Sequence, residues 1–247
     1  MNENVDIFIM THKDFEPVVS NPVYKVIDSR NIVNNNFRVF GHLTDIELSE
    51  WYHFYYIIDN FILKDYVGIC QYRRYFNFLD NVPDINEIFK EHDIIVRSPQ
   101  QTKASNLIQY AVYHNVDDLN LLGDILKENH FEYYETYKRF IKMNIMIPCN
   151  MFIMKSEDFI KLIKLSKEIV KEYCWRKGID FNKIVLENKN KYLKKTYPNN
   201  TVEYQSKILT YILERLTNIF IFKNFKKIKT FGAIITENKY NLKKNIT

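Results

Sequence analysis

Glycine and proline are scarce, with 5 and 6 copies in 247 residues. So few breakers favour long regular elements over the turn-dense pattern of a sandwich or barrel. Cysteine is scarcer still, and Cys70, Cys149 and Cys174 are odd in number and far apart. That spacing argues against a disulfide framework and a zinc cluster. No uncharged apolar run reaches the ~18 residues of a bilayer span. The opening MNENVDIFIM has no basic stretch leading into a long apolar run, so a cleaved signal peptide is not expected and a cytoplasmic protein is. There is no internal repeat, low-complexity linker, nucleophile elbow, Walker loop or His-Glu-x-x-His. What is present is ordinary for a soluble globular domain: 46% hydrophobic and 26% charged residues, proportions that exclude disorder, collagen and coiled coil. The 18 Tyr and 18 Phe supply a core and leave rings for an aromatic-lined cleft. A net charge of +5 suits a nucleotide diphosphate, an anionic lipid surface or nucleic acid without choosing among them.

Val5 to Met10 is short, apolar and followed by Thr11, His12 and Lys13, the pattern of a buried strand emptying into a polar loop. In open α/β sheets ligands bind at such strand ends. Residues 14–43 show no sustained period and predict loops with one or two short strands. Thr44-Asp45-Ile46-Glu47 has capping-box spacing, and Ile46, Trp51, Phe54, Tyr55, Ile58 and Phe61 continue at helical spacing, which predicts a helix over 46–62. YVGICQ at 66–71, Ile94 to Val96 and Cys149 to Met154 read as core strands. A helix over 117–129 is capped by Asn115, a long helix stops at Gly178, a second spans 201–220, and Phe231 to Thr236 is a late strand. Residues 180–200, rich in Lys and Asn, read as a surface excursion. Strands alternating with helices predict one α/β domain with a mostly parallel sheet flanked by helices.

The most informative segment is Tyr66 to Phe76, YVGICQYRRYF. Two of eight arginines, Arg73 and Arg74, stand side by side at the end of an expected buried strand. A guanidinium offers a permanent planar fork of donors to phosphate oxygens, and Tyr72 and Tyr75 can stack on a base or sugar. The competing reading is a basic loop with one arginine paired to a carboxylate. The segment resembles the hallmark Y-V-G-L-C-H-Y-R-R-Y-F of bacterial glycosyltransferases from capsule, exopolysaccharide and O-antigen clusters, long known as a domain of unknown function. IFIMTHK, DIIV, His114 to Leu119 (HNVDDL), CNMFIMKSEDF and ILERLTNIFI are similar to other segments of that family, in the same order.

The resemblance implies a GT-A-like fold over residues 1–238, with a Rossmann-like sheet holding a UDP-sugar, and a basic tail over 239–247. It implies transfer of a hexose, galactopyranose or galactofuranose above all, to a growing glycan or lipid-linked oligosaccharide. By that analogy Thr11, His12 and Lys13 approach the nucleotide, Arg73 and Arg74 the diphosphate, and Asn150 a sugar. Gln71 departs from the family histidine, and glutamine cannot titrate, so it either hydrogen-bonds ligand or marks different chemistry. Many enzymes of this fold use Asp-x-Asp and a divalent metal such as Mn or Mg. No convincing Asp-x-Asp is visible, and Asp117-Asp118 is adjacent and suits a helix opening, where carboxylates meet the dipole. Candidates for a catalytic base are Glu214, Glu203 and Asp118. Glu214 and Arg215 match the family's E-R pair, which can equally be a structural salt bridge. His114 and Asp118 are an orienting pair or a cap and its neighbour.

His42, His53, His92 and His130 show no ligand spacing and read as structural or solvent-facing, and Cys70 and Cys149 as small core residues. The lysines at 223–229 and 239–244 are solvated surface or a weak contact with the inner membrane face, each adding about 1 kcal/mol near an anionic leaflet. They are spread among acidic neighbours, and no RNA-recognition signature accompanies them, so nucleic acid is not an expected partner. A non-catalytic nucleotide-sugar or polyanion-binding module is the alternative.

Overall fold

The computed structural model describes residues 2–40, 43–178, 207–236 and 242–243. In chain order, β1 (Val5–Thr11), β2 (Tyr24–Asp28) and α1 (Ser29–Asn34) precede α2 (Asp45–Leu48), α3 (Glu50–Asn60), β3 (Tyr66–Gln71) and β4 (Arg74–Phe76). Then come α4 (Ile85–Glu91), β5 (Ile94–Arg97), β6 (Gln100–Gln101), α5 (Asn106–Tyr113), α6 (Val116–Asn129) and α7 (Phe131–Phe140). Next, β7 (Ile145–Met146), β8 (Phe152–Lys155) and α8 (Ser156–Arg176) are followed by α9 (Ile208–Asn224), β9 (Ile228–Phe231), β10 (Ala233–Thr236) and β11 (Leu242–Lys243).

The central strands run β2-β1-β3-β8-β5-β9. All share one direction except β8, antiparallel to both β3 and β5, so the sheet is mostly parallel in orientation. Both faces are covered, which is why β1 is buried at every position and reads as a continuous apolar run. Phe8 and Met10 face a core built with α3, α6, α8 and α9, while Val5, Ile7 and Ile9 face a second core with Tyr75, Phe76 and Ile85. At Gly68 a Cβ would stand 2.8 Å from Ile7 Cγ1, so only glycine lets β1 and β3 close at that point. Past the end of β3 the chain reverses, pairing Gln71 with Arg74, and β10 and β11 extend this side of the sheet.

Asn115 caps α6, and α8 ends just before Gly178, which takes a φ of +61°. The region 14–43 contains β2 and also α1, capped by Asp28. Three elements depart from the sequence expectation. The helix over 46–62 is two helices, because Ser49, which follows the last residue of α2, adopts a φ of +48°. The strand expected at Cys149 starts only at Phe152, because Cys149 and Asn150 have φ of +69° and +48° and form a left-handed turn. The strand expected over 231–236 is divided at Gly232, with β9 pairing β5 and β10 pairing β4.

His42, Glu203, the excursion at 180–200 and the tail apart from 242–243 lie outside the described residues. Lys223, Lys226 and Lys227 are exposed, and the backbone N–H groups of Lys226 and Lys227 donate to Asp93 where β5 and β9 begin. Among the described residues no helix is long and apolar enough to cross a membrane.

Candidate active site

A cleft of about 410 Å³ opens at the C-terminal ends of β1 and β3. Met10, Thr11 and His12 form one wall, and Gln71, Tyr72, Arg73 and Arg74 another. The α2–α3 junction contributes Asp45, Ile46, Ser49, Glu50 and His53, and Lys207 stands ahead of α9. The β1 and β3 ends are locked together by the Tyr72 N–H, which donates to Met10 O at 2.9 Å, and α3 is tied to the end of β1 by His53 Nε2–H, which donates to Thr11 O at 3.0 Å. Thr11 folds the loop back, its hydroxyl donating to Lys13 O at 2.6 Å and accepting from Lys13 N–H at 3.1 Å. Tyr72 is an aromatic platform at the rim. Lys13 Nζ lies 5.0 Å from its ring centroid, the Arg73 guanidinium 5.6 Å, and the His12 ring meets it edge-on at 5.3 Å.

Beneath the cleft the left-handed turn at Cys149 and Asn150 organises a charged floor. Asn218 on α9 clasps Ile147 from both sides, accepting from its N–H at 2.7 Å and donating to its carbonyl at 2.9 Å. Cys149 is then bound three ways: its N–H donates to Glu214 Oε1 at 2.9 Å, its carbonyl accepts from Gln71 at 3.3 Å, and Arg97 donates to its sulfur at 3.2 Å. Asn150, 1% exposed, donates from Nδ2 to Glu50 Oε1 at 2.9 Å. Non-glycine residues in this backbone region are strained, and consecutive ones persist only where the surroundings overdetermine them. Gln71 also accepts from Arg74, so it is a hydrogen-bonding link between that arginine and the turn.

Of the residues expected from sequence, Thr11, His12, Gln71, Tyr72, Arg73 and Arg74 converge on the cleft, with Lys13 at its rim. Asn150 reaches it through Glu50. Glu214 and Arg215 lie one layer below, paired with each other, and Arg215 also donates to Gln109 at 2.9 Å. His114 is buried, its ring stacked 3.9 Å from that of Tyr211. Asp118 does not line the cleft: it is fully buried at the start of α6, accepting from Tyr173 OH at 2.6 Å and pairing with Lys177 at 2.7 Å. Sequence reasoning missed Glu50, Asp45 and Lys207, and took His53 as merely structural or solvent-facing although it lines the cleft. Glu50 was hidden because nothing in the sequence marks the break at Ser49.

The electrostatics follow the geometry. Partial desolvation and the cations Lys13, Lys207 and Arg73 hold His12 below its ordinary value, against a raising influence of Asp45. Burial and then the charge of Glu214 push Glu50 up to about 7. Burial, reinforced by Arg215, brings His114 down to about 3, so it is neutral. Burial raises the Cys149 thiol. Among the described residues no group of three or more His, Cys, Asp and Glu side chains is placed to hold a metal ion. The cleft offers two carboxylates, Asp45 and Glu50, and Asp45 already accepts from Ser29 at 2.7 Å. This pair of carboxylates could hold a divalent cation only together with the phosphates of a bound substrate, the arrangement usual for Mg²⁺.

No curated protein matches the sequence. Among solved structures, the apo form of WbbM, a bifunctional glycosyltransferase, superposes with a TM-score of 0.73 at 17% identity, covering 95% of this chain and 46% of that one. The chain thus spans about half the length of the protein it resembles, and likeness at this identity establishes a shared fold. Residues 6–225 match the family model described as a domain of unknown function (DUF4422), and with that share of its length matched the chain belongs to this family.

Proposed function

We propose that this protein is a glycosyltransferase that takes a sugar from a nucleoside-diphosphate donor. The observation that carries the reading is the convergence of Arg73, Arg74, Lys207 and His12 beside the Tyr72 ring, in one cleft at the strand ends. Guanidiniums and an ammonium neutralise a departing diphosphate as charge develops on it, and an aromatic face suits a base or sugar ring. The fold shared with WbbM supports the class of chemistry. The finer expectations rest on the sequence resemblance: UDP as the nucleotide, galactopyranose or galactofuranose as the hexose, and a capsule, exopolysaccharide or O-antigen glycan, free or lipid-linked, as acceptor. Lys223, Lys226 and Lys227 lie at the strand-start end of the sheet, opposite the cleft, so a peripheral membrane contact through them would leave the cleft facing away from the bilayer.

The test is nucleotide binding followed by turnover. UDP at about a hundred times its Kd should stabilise the protein by ~2.7 kcal/mol in a thermal melt. Arg73→Ala and Arg74→Ala should each weaken that shift. A panel of UDP-sugars, with UDP release quantified with and without Mn and with a chelator, then reads the donor and any metal requirement. UDP affinity and turnover untouched by both substitutions would overturn the reading. Binding without release from any donor would favour the non-catalytic module.

A further inference from the structure

Glu50 occupies a position that structural need alone does not explain. It is the first residue of α3, presented by Ser49 in a left-handed conformation at φ +48°, and it lines the cleft although an ordinary helix start would leave a glutamate in solvent. Its partner Asn150 is itself in a left-handed conformation and almost fully buried, so strained backbone holds both ends of this one hydrogen bond. Asn150 Oδ1 has no hydrogen-bond partner among the described residues. An amide in that situation serves either state of its neighbour: Nδ2 donates to a carboxylate, and after a half-turn Oδ1 accepts from a carboxylic acid. Glu214 is spent by contrast, since Oε1 accepts from Cys149 N–H and Oε2 from Arg215, outside the cleft lining.

We propose that Glu50 is the proton acceptor of the transfer reaction and that Glu214 is a positioning residue, which clamps the 149–150 turn. The inference rests on the transferase reading above. The acceptor hydroxyl oxygen attacks the anomeric carbon, forming the new C–O bond. The bond from that carbon to the diphosphate oxygen breaks, and the nucleoside diphosphate leaves with the electron pair among Arg73, Arg74 and Lys207. The hydroxyl proton passes to the Glu50 carboxylate and is later lost to water, which restores the base. The charged and titratable groups around Glu50 are Glu214 on α9, Arg74 on β4, Asp45 on α2 and His53 on its own helix, with the Cys149 thiol and the uncharged Asn150 amide in the turn. Burial and then Glu214 raise its proton affinity and Asn150 and Arg74 lower it, so Glu50 is pushed up to about 7, where a general base is most effective.

The experiment measures UDP release from UDP-galactose by the full chain across a pH series, with water as the accepting hydroxyl, alongside UDP affinity by calorimetry. Wild type should lose activity on the acid side with a midpoint near 7. Glu50→Gln should cut release by roughly 10²–10⁴-fold while UDP affinity stays within about threefold. Glu214→Gln should move the acid midpoint to lower pH, and Asn150→Ala should move it to higher pH, opposite shifts that a merely structural lesion would not produce. Because Glu214→Gln unpairs the buried Arg215 and can impair folding, Asn150→Ala also serves as an independent arm. Glu50→Gln retaining release, or both midpoints staying in place, would overturn the Glu50 assignment with the transferase reading intact. Failure of wild type to bind UDP would remove that reading first, and the Glu50 inference with it.

Discussion

Replacing Glu50 by glutamine should stabilise the fold at alkaline pH, and the size of the gain follows from its surroundings. Burial and the Glu214 carboxylate raise Glu50 from 4.5 to about 7. At about 1.4 kcal/mol per pH unit this displacement corresponds to about 3 kcal/mol against keeping it ionised in the folded state. Glu50 is only half-buried, so rearranging water and side chains reduce the figure, and we expect ~1–3 kcal/mol. The sign is set by proton counts. Between about 4.5 and 7 the folded chain holds this proton and the unfolded chain does not, so the contribution of Glu50 to stability is full below 4.5 and is lost as the pH rises through 7. The amide cannot ionise, so Glu50→Gln should match wild type near pH 4.5 and exceed it at pH 8 by ~2–10 °C in Tm. Paired thermal and urea melts of both proteins at pH 4.5, 6 and 8, at fixed ionic strength, make the comparison. A difference independent of pH, or a less stable variant at pH 8, would refute the account of why this carboxylate is perturbed.

Three further outcomes are expected. Gly123→Ala places a Cβ 2.4 Å from the ring of Tyr137, which is tied down by its hydroxyl to Leu119 O at 3.0 Å. Overpacking should outweigh the gain in helix propensity and cost ~1–3 kcal/mol in urea denaturation. Asp118→Ala removes the acceptor of the Tyr173 hydroxyl and the partner of the partly exposed Lys177 and should cost ~1–3 kcal/mol, while UDP affinity of the folded fraction, measured by calorimetry, stays unchanged. His114, brought down to about 3 by burial, binds a proton more readily unfolded than folded, so stability falls as the pH drops from about 6.5 toward 3. His114→Gln should flatten that acid limb by up to about 1.4 kcal/mol per pH unit, read from urea melts at pH 4, 5 and 6.

The runs VDIFIM and YVGIC were legible as strands because a sheet covered on both faces demands unbroken apolar sequence, and side chains of each run are fully buried in both cores. Asn115, the Thr44–Glu47 box and Gly178 were legible because caps act within one turn of chain. Arg73 and Arg74 stood out by residue chemistry, and their cleft position follows from the strand that precedes them. Left-handed backbone at Ser49, Cys149 and Asn150 was not legible, because none of these is glycine. At Cys149 and Asn150 the conformation is imposed by long-range partners: Asn218 on Ile147, Glu214 on Cys149, Glu50 on Asn150.

Local sequence therefore determined the strands, the caps and the arginine pair, since hydrophobic period, capping and charge are properties of neighbouring residues. Only the tertiary structure decided which carboxylate faces the cleft. Glu50, Asn150 and Glu214 are far apart in the chain and meet only when β3 and β8 pair and α9 packs against them, and a proton affinity set by burial and a neighbouring charge exists only once they have met.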